Sequence, residues 1–258
     1  MRAATIHKLL RKYSPAALLI LMVLTVWEGA VRHGQVPAFI LPAPSEIWNA
    51  LMEQRSLLFG LHLQATLQET LLGFAVSVIC GTLLGVLMHR FQPLAAAVYP
   101  LLIVSQTIPL IALSPIFIMW FGYSLGGKVA VVFLTAFFPV VVGTYDGLHT
   151  SGEQYRELLL TLGANRRQLL VKTQIPLALP AFFSGLKLSI VYCVIGATIG
   201  EWLGGSKGLG YYSRRMAGSL QSAEMFAAVS LLSALGVTLF LCIIAIEKTI
   251  MKKRGFHR

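Results

Sequence analysis

Residues 153–180 read Glu153-Gln-Tyr-Arg-Glu157-Leu-Leu-Leu-Thr-Leu-Gly163-Ala-Asn165-Arg-Arg-Gln168-Leu-Leu-Val-Lys-Thr-Gln-Ile175-Pro176-Leu-Ala-Leu-Pro180, and they separate the apolar runs Val129–Thr144 and Phe182–Gly200. The stretch encodes two short helices joined at a glycine. Glu153–Leu162 has helical apolar spacing, and Gly163 can take the left-handed conformation that stops a helix. Asn165 followed by Gln168 forms a capping box that restarts it. Pro176 and Pro180 are expected to end the second helix before the next apolar run. What results is a short, basic, amphipathic helix projecting from a membrane.

Outward from this loop the chain is greasy. Of 258 residues, 56% are apolar and 12% are charged, about half the roughly 25% charged fraction of a soluble protein. That is too little charge to cover a water-exposed surface, and disorder is excluded because disordered chains are charge-rich and apolar-poor. Crossing the hydrocarbon core takes about 20 apolar residues in a helix. Six runs qualify: 15–31, 70–88, 94–121, 129–144, 182–200 and 226–246. The chain therefore reads as an all-α integral membrane protein of about six transmembrane helices. A basic terminus at 1–14 precedes the membrane domain 15–246, and a second at 247–258 follows it, with the loop 148–181 between spans four and five. The first run resembles a signal peptide, but Glu28-Gly29-Ala30 is a poor cleavage context, so an uncleaved span is expected. Pro109 and Pro115 predict a kinked or locally unwound third span.

Net charge is +11, and its placement argues against nucleic acid as the partner. With both termini in the cytoplasm, the inner segments hold fifteen of the 21 lysines and arginines, as the positive-inside rule requires of a membrane protein in contact with lipid. Cys80, Cys193 and Cys242 each lie inside an apolar run without C-x-x-C spacing, so they read as packed core residues and not as a disulfide or zinc set. The six histidines show no H-E-x-x-H pattern, so no metal site is expected. Gly204-Gly-Ser-Lys207-Gly-Leu-Gly210 is glycine-rich but lacks the order that cradles nucleotide phosphates. No catalytic constellation appears within the spans, and the chain is not expected to be an enzyme or to hydrolyse ATP.

Further residues invite two readings. Gly81-x3-Gly85 and Gly196-x3-Gly200-x3-Gly204 place small residues on one helix face, which favours close helix crossing; the second seam could also lie near a subunit interface and move during gating. In the segment 32–69, Ser45 can cap an amphipathic helix from Ile47 that lies on the outer membrane surface. Glu28, Glu69, Asp146 and Glu201 fall at or near span ends, where a charge costs little. Glu69 and Glu201 are the preferred solute-pathway residues, because a carboxylate can accept from an amino-bearing ring; the plainer reading of Glu201 is a pair with Lys207 or Arg214. Trp27, Trp48, Trp120 and Trp202 fit an interfacial aromatic belt, and Trp202 beside Glu201 could instead stack on a flat solute.

The spacing Glu157-x5-Gly163-x12-Pro176 resembles the "EAA" loop of permease subunits of binding-protein-dependent ABC importers, although Leu158 and Leu159 stand where that motif has two alanines. The resemblance extends along the chain. Ile40-Leu41-Pro42-Ala43-Pro44-Ser45, Ser114-Pro115-Ile116-Phe117-Ile118-Met119-Trp120-Phe121-Gly122, Phe138-Pro139 with Thr144-Tyr145-Asp146-Gly147, and Gly200-Glu201-Trp202-Leu203-Gly204 with Gly208-Leu209-Gly210 are similar to the nitrate/sulfonate/taurine branch. Ile195–Gly210 resembles most its thiamine-precursor pyrimidine members. The resemblance implies a type I importer permease (MetI-like) fold in a bacterial inner membrane. It implies a coupling loop made of Glu157, Gly163, Ala164, Asn165, Arg166, Arg167, Leu169, Leu170 and Pro176. Its partners would be ATPase subunits carrying ATP and Mg, with no cofactor on this chain, an extracytoplasmic substrate-binding protein, and a second copy of the permease or a related one. Sulfonate, taurine and nitrate are alternative solutes to a pyrimidine. An autonomous channel or secondary transporter is the alternative class, although it would need relay charges or inverted repeats.

Overall fold

In hydrocarbon every backbone amide must be satisfied within the protein, so apolar runs of this length fold as helices. The computed structural model describes residues 2–34, 36–150 and 158–253, and every regular element among them is helical. In chain order these are α1 (Arg2–Arg32), α2 (Pro44–Glu53), α3 (Arg55–Arg90), α4 (Gln92–Ser105), α5 (Leu110–Phe121), α6 (Leu125–Thr150), α7 (Arg167–Gly204), α8 (Leu209–Gly218) and α9 (Ser222–Lys253). Among the described residues five helices are long and apolar enough to cross a membrane, and α4 with α5 makes a sixth if that pair, bent by 90°, is one span. The bend sits at Gln106–Pro109. Proline lacks the amide that would continue the ladder, and the hydroxyls of Ser105 and Thr107 recapture the carbonyls of Leu102 and Val104, each at 2.7 Å.

The core is built around α6. One side takes α3, with Gly81 against Val140 and Gly85 against Thr144; the other takes α7, with Gly196 against Val132 and Thr135, and Gly200 against Lys128. Both small-residue seams thus close on α6 inside one chain. Ser189 of α7 adds a bond to the Ala136 carbonyl at 2.8 Å. Val132, Ala136, Val140, Cys193 and Ala197 are fully buried between these helices. Cys193 is therefore a core residue, but Cys80 and Cys242 are exposed on the outward faces of α3 and α9, contrary to the packed positions expected of them. Among the described residues no helix covers those faces.

α1 stands apart, its residues Leu18–Val23 exposed, and is fixed at its C-terminal end. There the Glu28 carboxylate accepts the Ser45 amide and hydroxyl at 3.0 and 2.7 Å and the Arg32 guanidinium at 2.5 Å. Ser45 does not cap α2. Pro44 opens that helix, which moves the cap to Ala43, and Glu46 accepts the Ala43 amide at 2.9 Å. Ile47 and Ala50 of α2 are buried in a cluster with Leu209 and Tyr212 of α8 and Ala227, Ala228 and Leu231 of α9.

The largest departure from the sequence reading concerns Pro176 and Pro180. They do not end a helix: α7 runs through both. Just before Pro176 the chain makes one π-turn, Leu170–Gln174. A π-turn shifts the hydrogen-bond register by one residue, so the missing Pro176 amide falls at a register change and the helix continues.

Candidate functional site

At the C-terminal end of α7, four elements meet around two carboxylates. Glu69 of α3 and Glu201 of α7 are 2% and 1% exposed. The Lys128 ammonium, from the first turn of α6, donates to Glu69 Oε1 at 2.7 Å and is itself nearly buried. Glu201 Oε1 accepts from the Thr66 hydroxyl at 2.6 Å, and its Oε2 accepts from the Gly210 amide at 2.5 Å. The neighbouring amides are taken in sequence. Gly208 N donates to His62 Nδ1 at 3.0 Å and Leu209 N to Thr66 Oγ1 at 2.8 Å. Three consecutive N–H groups at the start of α8, which have no partners within their own helix, are thus satisfied by side chains of α3 and α7.

This geometry dictates the Gly208-Leu209-Gly210 pattern. Gly208 has φ +122°, a conformation strained for any side chain, and a Cβ there would run into the Glu201 carboxylate. At Gly210 a Cβ would lie 2.8 Å from Glu201 Oε2. Chemically the cluster is a fastener: it ties α3, the first turn of α6 and the C-terminal end of α7 to the start of α8. Both carboxylates are held by groups of the protein and closed off from solvent, so neither faces an open channel within this chain. Glu201 pairs with neither Lys207 nor Arg214; its partners are Thr66 and Gly210.

Trp202 points the other way. It is 45% exposed and, with Tyr123, Tyr211, Arg214 and Arg215, lines an open cleft of about 590 Å³. Of the three pathway candidates, then, the structure brings Glu69 and Glu201 together in the interior and puts Trp202 alone on a cavity wall. Sequence reasoning missed Lys128, Thr66 and His62. The signal available for Lys128 is its position directly before the apolar run 129–144, since a charge at the membrane end of a span calls for a partner. Among the described residues no group of three His, Cys, Asp or Glu side chains converges to hold a metal.

The opposite end of α7 carries the loop motif. Gly163 has φ +83°, the left-handed turn its position calls for. Asn165 and Gln168 make the reciprocal capping bonds, Gln168 N to Asn165 Oδ1 at 2.8 Å and Asn165 N to Gln168 Oε1 at 2.9 Å. Arg166 is helical, Arg167 is exposed, Ala164 and Leu170 are half-buried, and Leu169 is buried. Pro176 is half-buried within the continuous helix. Glu157 lies outside the described residues. Leu158 and Leu162 are 58% and 73% exposed around the turn.

Residues 77–253 match the family model of the binding-protein-dependent transport system inner membrane component. The chain belongs to that family. It is the membrane-spanning permease subunit of an ABC transporter, and the autonomous-transporter alternative gains no support. It is similar to the formylaminopyrimidine transport permease protein ThiX of Halalkalibacterium halodurans, 44% identical over 92% of this chain and 94% of that one. It is also similar to the riboflavin transport system permease protein RibX of Chloroflexus aurantiacus, 33% identical over 92% of this chain and 88% of that one. Among solved structures, the inward-facing MetNI methionine ABC transporter shares its fold, with a TM-score of 0.62 at 20% identity over 80% of this chain and 99% of that one.

Proposed function

We propose that this permease imports a small flat heteroaromatic solute, a thiamine-precursor pyrimidine, by alternating access driven by ATP hydrolysis on partner subunits. The similarity to ThiX supports the pyrimidine, and the similarity to RibX supports the wider class of flat heteroaromatic rings. An extracytoplasmic binding protein delivers the solute, two copies of the chain enclose the pathway, and both termini lie in the cytoplasm. The coupling loop around Gly163 docks on the ATPase through Leu158, Leu162, Arg167 and the half-buried Ala164.

The observation that carries this reading is the continuity of α7. It has 38 residues, about 57 Å at 1.5 Å per residue, and joins the Gly163 turn to Glu201 without a break. A helix of this kind transmits displacement at one end to the other as a rigid lever, a physically ordinary switch when ATPase closure binds its two positions unequally. Because Glu201 holds the start of α8, tilting α7 would carry α8 and the cleft wall with it.

Co-purification from the native membrane tests the docking. The tagged wild-type chain is expected to retain an ATPase subunit. Gly163→Asp, which puts a carboxylate into the turn, is expected to insert normally and to lose that subunit. Equal ATPase recovery and normal uptake by the variant would overturn the coupling assignment.

A further inference from the structure

The cleft beside Trp202 has a composition that the fastener does not use. Three aromatic side chains, Tyr123, Trp202 and Tyr211, share its wall with two guanidinium groups, Arg214 and Arg215. The arginines are exposed, and the ion pairs among the described residues join Arg32 to Glu28, Lys128 to Glu69 and Lys187 to Glu247. Arg214 and Arg215 therefore face the cleft without a carboxylate partner. The volume of about 590 Å³ falls within the range of roughly 300–1,000 Å³ typical of small-molecule sites.

We propose that this cleft is a solute site of the permease itself, recognising a flat heteroaromatic ring by stacking on Trp202 and the two tyrosines and by arginine donors to ring-nitrogen or carbonyl acceptors. The inference rests on the heteroaromatic-import reading and assigns residues to it. It also reverses the polarity expected from sequence. Recognition runs from protein donors to solute acceptors, because the carboxylates that could accept from ring amino groups are buried away from the cleft, Glu201 bonded at both oxygens and Glu69 at one. A formylaminopyrimidine offers such acceptors at its formyl oxygen and ring nitrogens. Base–aromatic stacking contributes about 1–3 kcal/mol per ring by alanine substitution, which corresponds to a loss of about 5- to 150-fold.

The site is also pre-organised, which lowers the entropy lost on binding. Arg214 and Arg215 stand on α8, whose first three amides are fixed by His62, Thr66 and Glu201 and whose inner face, Leu209, Tyr212 and Ser213, is buried. Trp202 is the next residue after Glu201, about 100° further round α7, and lies on its exposed side. The fastener thus holds both walls of the cleft in register.

Isothermal titration of the permease–ATPase complex in nanodiscs, without binding protein, tests the proposal with formylaminopyrimidine, riboflavin and taurine as separate titrants. A flat ring is expected to bind and taurine not to. Trp202→Ala and the pair Arg214→Ala/Arg215→Ala should each weaken the ring at least about fivefold, while Trp202→Phe should stay within about threefold. Wild-type complex that binds neither ring, variants that titrate as wild type, or a preference for taurine would each overturn the site. ATP turnover and ATPase retention in the same nanodiscs, with Gly163→Asp as control, report the coupling reading separately. Retained ATPase without ring binding sinks the cleft alone, and loss of the ATPase from the wild type sinks the reading beneath it.

Discussion

Replacing Lys128 by methionine deletes the ammonium that meets Glu69 at 2.7 Å and keeps a stem of similar length. The pair is screened by almost no water, with the lysine side chain 9% and the glutamate 2% exposed. Glu69 Oε2 already lacks a hydrogen-bond partner, so the variant leaves a whole carboxylate uncompensated. Removing one partner of a buried ion pair costs about 3–5 kcal/mol. For a domain of this size a kilocalorie shifts the melting temperature by roughly 2–4 °C, so a fall of about 6–20 °C is expected. Glu69→Gln should cost less, about 1–3 kcal/mol, because the amide oxygen can still accept from Lys128. The double variant should then be more stable than Lys128→Met alone, since the Glu69 charge is removed together with its partner. Thermal loss of the monodisperse peak in detergent, followed by fluorescence-detected size exclusion across this cycle, reads all four proteins. A Lys128→Met shift under 2 °C, or a double variant whose loss equals the sum of the singles, would refute the claim that this pair fastens α3 to α6.

Other substitutions separate the remaining arguments. Gly208→Ala combines a left-handed φ of +122° with a clash against Glu201. It should cost about 2 kcal/mol or more, read as a lower melting temperature, whereas Gly60→Ala, with open space around its Cβ, should be neutral. Asn165→Ala removes one half of the capping box and should destabilise the loop helix by about 1 kcal/mol. Hydrogen exchange should quicken at the amides of 166–169 and stay unchanged at 208–210. Ser189→Val removes the hydroxyl bond to the Ala136 carbonyl and should lower stability by about 1 kcal/mol, with a melting temperature equal to wild type counting against that contact.

Which parts of this molecule were legible in the sequence follows from the range of the forces involved. The apolar runs, the Gly163 turn and the Asn165–Gln168 cap depend on residues within a turn or two of one another, and spacing alone encodes them. The break at Pro109 is local in the same sense. Pro176 misled because its effect depends on a π-turn, and nothing in Leu170–Gln174 announces a register shift in advance. Glu69 and Glu201 misled for a different reason. Placed at the ends of runs 70–88 and 182–200, they read as interfacial, yet α3 begins at Arg55 and α7 ends at Gly204, so both sit within helices. Whether a carboxylate faces a pathway or a fastener is decided by partners more than 50 residues away, Lys128 for Glu69 and Thr66 for Glu201. The sequence did hold one clue to that distant pairing. Gly208 and Gly210 flank Leu209 in a segment whose backbone must press against something, and a buried carboxylate that needs N–H donors is the group such a segment can satisfy. A glycine pair near a lone intramembrane acid therefore points inward, to a bonded carboxylate, and leaves solute contact to the aromatic and basic side chains that face away from it.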